Sequence, residues 1–115
     1  MSNSFSCCRT VINENLIENA TKDYKVNKES LDNQSKLFSL LGNEVRLKII
    51  YLILKYKRLC VCDFVDILEV NQSPISQHLR KLKDTGILEN QREGSAVYYF
   101  IKNSMKDKLE IILEV

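Results

Sequence analysis

The sequence predicts a mainly α-helical domain with one small β-hairpin. The chain is poor in turn-formers, with three Gly and one Pro in 115 residues, which disfavours a many-stranded sandwich. From Leu31 onward apolar residues recur at helical spacing. Near the C-terminus, ILENQRE and AVYYFIK flank Glu93-Gly94-Ser95, β-branched and aromatic stretches around a short turn that read as a two-stranded hairpin. A chain of this length fits a single core.

Taken in order, residues 1–28 are polar and only weakly periodic, and are expected to form an N-terminal arm that carries Cys7 and Cys8. Within it, TVINENLIENATKDY reads as a short helix with Ile12 and Leu16 on one stripe. Residues 29–115 are expected to form the folded domain that follows the arm. SLDNQSKLFSLLG places Leu37, Leu40 and Leu41 on one helical face, and Gly42 stops that helix. Asn43 caps the next, whose Val45, Ile49, Leu52 and Ile53 fall at core spacing. LCVCDFVDILEV reads as a short extended entry and then a helix with Phe64, Val65 and Leu68 inward.

NQSPISQHLRKLKDTG is the best-punctuated segment. Ser73 is the expected N-cap, Pro74 the first helical residue, and Gly86 the stop. Ile75, Leu79 and Leu82 form the inward stripe. Ser73, Ser76, Gln77, His78, Arg80 and Lys81 supply the hydroxyl, amide, imidazole and cationic groups used on base edges and phosphates, though any solvated helix face is also polar. Arg92, beside the hairpin tip, is a candidate phosphate contact. Arg46, Lys48, Lys55, Lys57 and Arg58 form either a phosphate-facing rim or a solubilising face. The final helix, NSMKDKLEIILEV, carries Met105, Leu109 and Ile112 in a row; with Leu37 they are expected to line a dimer interface. Helix, tight turn, polar-faced helix and hairpin, in that order, make a winged helix-turn-helix.

Composition narrows the function. Hydrophobic content of 44% and charged content of 28% are ordinary for a soluble domain. No signal peptide is visible and no apolar run approaches about 20 residues, so a cytoplasmic protein without a membrane span is expected. A net charge of +2 argues only weakly for a polyanionic partner. In a reducing compartment the four cysteines point to metal binding or thiol chemistry before structural disulfides. There is no CxxC, and the one His has no second His to work with, so an enzyme with an organic small-molecule substrate is not expected.

Cys60 and Cys62 are two soft ligands at i and i+2, just ahead of a helix N-terminus that favours negative charge. All-sulfur ligation suits As(III), Cd(II), Pb(II), Hg(II) and Zn(II), and disfavours hard cations. The competing reading is a pair of small buried hydrophobes. Cys7 and Cys8 are adjacent, so both reach one ion only from an irregular backbone; they also read as a redox-active vicinal pair.

LGNEVRLKII, LCVCDF, SPISQHLRKLKDTGIL and REGSAVYYFI, in that order, resemble the ArsR/SmtB family of bacterial metal-sensing repressors over roughly residues 34–114. The resemblance implies a homodimer that binds double-stranded operator DNA and releases it when a metal or metalloid binds. LCVCD is similar to the inducer motif of the arsenite and cadmium/lead branches. Where arsenite sensors of the best-known type carry a third cysteine, this chain has Phe64. The last helix contains no His, so the zinc site of other members is not expected. An arm with two cysteines resembles the cadmium/lead branch, in which arm thiolates of one protomer join the CxC of the other. Cys60, Cys62, Cys7 and Cys8 are therefore the expected metal ligands. Arsenite is the leading inducer, cadmium or lead the alternative, zinc and mercury rank behind, and a thiol-based redox-sensing repressor is the rival on the same fold.

Overall fold

The computed structural model describes residues 10–115. Five helices and three strands follow in the order α1 (Glu14–Leu41), α2 (Glu44–Tyr56), β1 (Arg58–Cys60), α3 (Val61–Leu68), α4 (Gln72–Asp84), β2 (Leu88–Glu93), β3 (Ala96–Ile101) and α5 (Asn103–Leu113). The chain divides into two units, Met1–Leu37 and Phe38–Val115.

α1 is one helix where the sequence suggests two, and the expected boundary at residue 28 falls inside it. Asn13 caps it, its Oδ1 accepting from the Leu16 N–H at 3.0 Å. No Gly or Pro interrupts residues 14–41, and i,i+4 pairs Glu18–Lys22 (3.3 Å) and Lys28–Asp32 (3.0 Å) add support on the surface. Residues 14–36 are exposed throughout. With no buried face there is no apolar stripe, which is why the periodicity sharpens only near the buried Leu37 and Leu41.

In the second unit Asn43 caps α2 as predicted, accepting from the Arg46 N–H at 3.1 Å. The core of α2 is Ile49, Ile50, Ile53 and Leu54. Ile49 and Ile53 match the expected stripe, whereas Ile50 and Leu54 take the places assigned to Val45 and Leu52, a rotation of the buried face by one residue. Phe64 of α3 and Ile75, Leu79 and Leu82 of α4 are also buried, as their spacing predicts. α4 begins earlier than expected, with Asn71 as its cap. Pro74 is then third in the helix, still within the first turn, where backbone N–H groups lack intrahelical acceptors and a proline is tolerated. Gly86, at φ +85, terminates the segment in a conformation that favours glycine.

Gly94 and Ser95 join β2 to β3 as the hairpin predicts, and β1 adds a third strand to give the order β1-β3-β2, antiparallel throughout. Leu88 pairs with Ile101, and both are buried. Side chains alternate along a strand, so Cys60 and Arg58, opposite Tyr98 and Phe100, lie on the other sheet face.

Phe64 is fully buried, and its truncation is the direct test of this core. Phe64→Ala is expected to lower the unfolding free energy by about 3–5 kcal/mol. The urea midpoint reads it at unchanged slope, and a loss below about 1 kcal/mol would contradict the packing.

Candidate nucleic-acid interface and thiol pair

The turn between α3 and α4 spans three residues, opening with Glu69 in the left-handed region at φ 56. It sets two short helices in helix-turn-helix order with the hairpin after them. The buried Ile75–Leu79–Leu82 stripe fixes α4 rotationally, so its other face is presented outward. On it Ser73, Gln77, Arg80 and Lys81 are exposed and Ser76 is half-buried. Among the described residues, neither Arg80 nor Lys81 takes part in an ion pair, which leaves both cations available to an anion. Arg92 is exposed on β2, two residues from the Gly94 turn.

His78 is half-buried. Burial, and secondarily the Arg46 charge, hold its imidazole below the usual value. It is thus less accessible than Gln77 and Arg80 on the same helix. The Arg46 Nε is buried without a hydrogen-bond partner.

The basic run does not form a free rim. Lys48 pairs with Glu44 at 2.7 Å, Arg58 pairs with Glu93, and Lys55 and Lys57 are exposed. The Arg58–Glu93 contact was not legible in the sequence, because 35 residues separate its partners.

Cys60 ends β1 and occupies the cap position of α3, with extended backbone (φ −98, ψ 171). Its N–H donates to Asp63 Oδ2 at 3.0 Å, fixing the strand-to-helix junction. Cys62 lies one residue into α3, so the extended segment expected to hold both thiols stops at the first. Cys60 is half-buried, Cys62 is exposed, and both are free thiols. Phe64, two residues further along, is turned into the core. The pair supplies two soft donors, which fits a thiophilic ion. Three- or four-fold sulfur coordination needs more, and among the described residues no group of three or more His, Cys, Asp or Glu is placed to hold a metal. Cys7 and Cys8 lie outside the described residues.

Of the expected dimer residues, Leu37 is buried and Leu109 is fully buried within the chain itself. Met105 and Ile112 are half-buried, and Ile111 is the most exposed apolar residue of α5. No helix among the described residues is long and apolar enough to cross a membrane.

Residues 43–90 match the family described as bacterial regulatory protein, arsR family. The chain is 35% identical over 101 residues to the cadmium resistance transcriptional regulatory protein CadC of Listeria innocua, covering 88% of this chain and 83% of that protein. It is 39% identical over 64 residues to the arsenical resistance operon repressor of Escherichia coli, covering 56% of this chain and 55% of that one. Among solved structures it resembles the homodimeric winged helix-turn-helix DNA-binding domain Mb0332 of Mycobacterium bovis, described as a possible ArsR-family transcriptional regulator. That likeness has a TM-score of 0.63 at 27% identity, over 76% of this chain and 81% of the other.

The lowered His78 pKa has a definite sign in stability. The unfolded chain takes up a proton near pH 6.5, while the folded chain resists it to lower pH. The unfolded state therefore binds more protons in that window, and stability falls as pH drops below about 6.5. His78→Gln should remove this component from the urea midpoint measured between about pH 7 and 5; a variant with the wild-type slope would show that His78 is not its source.

Proposed function

The chain belongs to the arsR family of bacterial regulatory proteins and is a DNA-binding transcriptional repressor, not an enzyme; from that premise we propose that it binds operator DNA as a homodimer and lets go when a soft thiophilic ion occupies Cys60 and Cys62. The observation that carries this reading is the placement of two free thiols at the strand-to-helix junction where the helix-turn-helix begins, Cys60 at the cap and Cys62 in the first turn of α3. α4 enters the major groove, where Ser76 and Gln77 address base edges, Ser73, Arg80 and Lys81 address the backbone, and Arg92 reaches a phosphate from the wing.

Cysteine thiolates are soft donors and select soft ions. A further thiolate, Cys7 or Cys8, completes the coordination. Cadmium is favoured among the inducers, because the cadmium-resistance relative aligns over 88% of this chain and the arsenical repressor over 56%. Arsenite is the second reading, since three sulfurs suffice for it. Occupancy and DNA binding oppose each other by linkage, so DNA must weaken ion binding by the factor by which the ion weakens DNA binding.

Reduced protein titrated anaerobically with cadmium, lead, arsenite, zinc and mercury should show thiolate-to-metal absorption in step with DNA release. The Cys60→Ser/Cys62→Ser protein should hold DNA normally and ignore the ion. Release by peroxide alone, reversed by a reductant, would replace this reading with a redox switch. Arg80→Ala should reduce the slope of log affinity against log salt by about 1; an unchanged slope would remove Arg80 from the backbone contacts.

A further inference from the structure

We propose that Arg58 is the positioning residue through which occupancy of the Cys60–Cys62 pair reaches the wing, an inference that rests on the reading of that pair as an ion site. Cys60 stands directly opposite Tyr98 of β3. Arg58, two residues earlier on the same sheet face, places its guanidinium 4.2 Å from the centroid of the Tyr98 ring. The same guanidinium pairs with Glu93, the last residue of β2 beside the Gly94–Ser95 turn. Glu93 is in register with Ala96, two positions beyond Tyr98. The Arg58 side chain therefore runs diagonally across the sheet, over the residue that opposes Cys60, to the tip of the hairpin.

This arrangement joins a part that must adjust to a part that touches DNA. Cys60 is extended and Cys62 helical, so an ion shared by the two thiolates ties the end of β1 to the first turn of α3 and acts directly on the junction. β1 is three residues long and is held by three register pairs, all to β3. Through the backbone, a shift in β1 passes to β3 and on to β2 across their shared ladder; Arg58 adds a direct side-chain link from β1 to the end of β2 beside the turn. The Arg58 and Glu93 side chains are each 45% exposed. Ion pairs this open contribute little to stability, so removing the pair is expected to leave the fold intact and alter the coupling.

The test uses the full chain, cadmium as the probe ion and a DNA duplex selected for binding to the wild-type protein. In Arg58→Ala, cadmium affinity and cadmium-free DNA affinity should stay within about threefold of wild type, while the cadmium-induced weakening of DNA binding shrinks about tenfold or more. Glu93→Gln, which keeps the Arg58 charge, should reduce the coupling in the same direction, and the double variant should match Arg58→Ala because the two act as one unit. An Arg58→Ala protein with the wild-type ratio of DNA affinities overturns the inference. So does loss of cadmium binding in that variant, which would place Arg58 in the ion site itself. A wild-type protein that binds no cadmium, arsenite or lead, or binds one and keeps its DNA, overturns the ion-site reading and this one with it.

Discussion

The arrangement depends on the short antiparallel ladder between β1 and β3. Three register pairs, Arg58 with Phe100, Leu59 with Tyr99 and Cys60 with Tyr98, attach the segment before the helix-turn-helix to the hairpin after it. Residues about 40 apart in the chain thereby become neighbours, and α3 and α4 follow one another in the chain between β1 and the hairpin it pairs with. Without this pairing the hairpin would be a two-stranded ribbon, a unit of marginal stability in water. With it, the wing and the thiol-bearing junction belong to one hydrogen-bonded element.

The core works on the same principle at the other face of that element. Ile75, Leu79 and Leu82 fix the rotation of α4, and Ile49, Ile50, Ile53 and Phe64 are among the other large side chains fully buried in the same unit. Close packing of these fully buried aliphatic side chains holds α4 in one orientation, with Gln77 and Arg80 on its exposed side. The direction in which the polar residues of α4 point is thus a consequence of packing, because the apolar stripe decides it.

Much of this was legible in the sequence, and the parts that were not have physical causes. The Asn43 cap, the α4 stripe and the turn at Gly94–Ser95 rest on local rules, and local rules are what a single sequence displays. The length of α1 was hidden because residues 14–36 have no buried face to imprint a period. β1 was read only as an extended entry, since three residues are too few to show alternation and its partner lies far along the chain. The cap of α4 moved from Ser73 to Asn71 because Pro74 is acceptable anywhere in the first turn. Among the site residues, the polar face of α4 followed from periodicity. The diagonal Arg58–Tyr98–Glu93 contact is a tertiary event with no sequence signature.

Phe64 carries a consequence for how such a site changes over generations. Cys60 is half-buried and Cys62 exposed, whereas the residue two places further on, Phe64, is fully buried. A thiol placed there would exchange a large aromatic for a small side chain in the interior. Adding a sulfur at position 64 and keeping a tightly filled core are therefore competing demands on one residue. A chain that keeps the aromatic at position 64 keeps its filled interior, and this junction then offers two sulfurs, at 60 and 62, and no third.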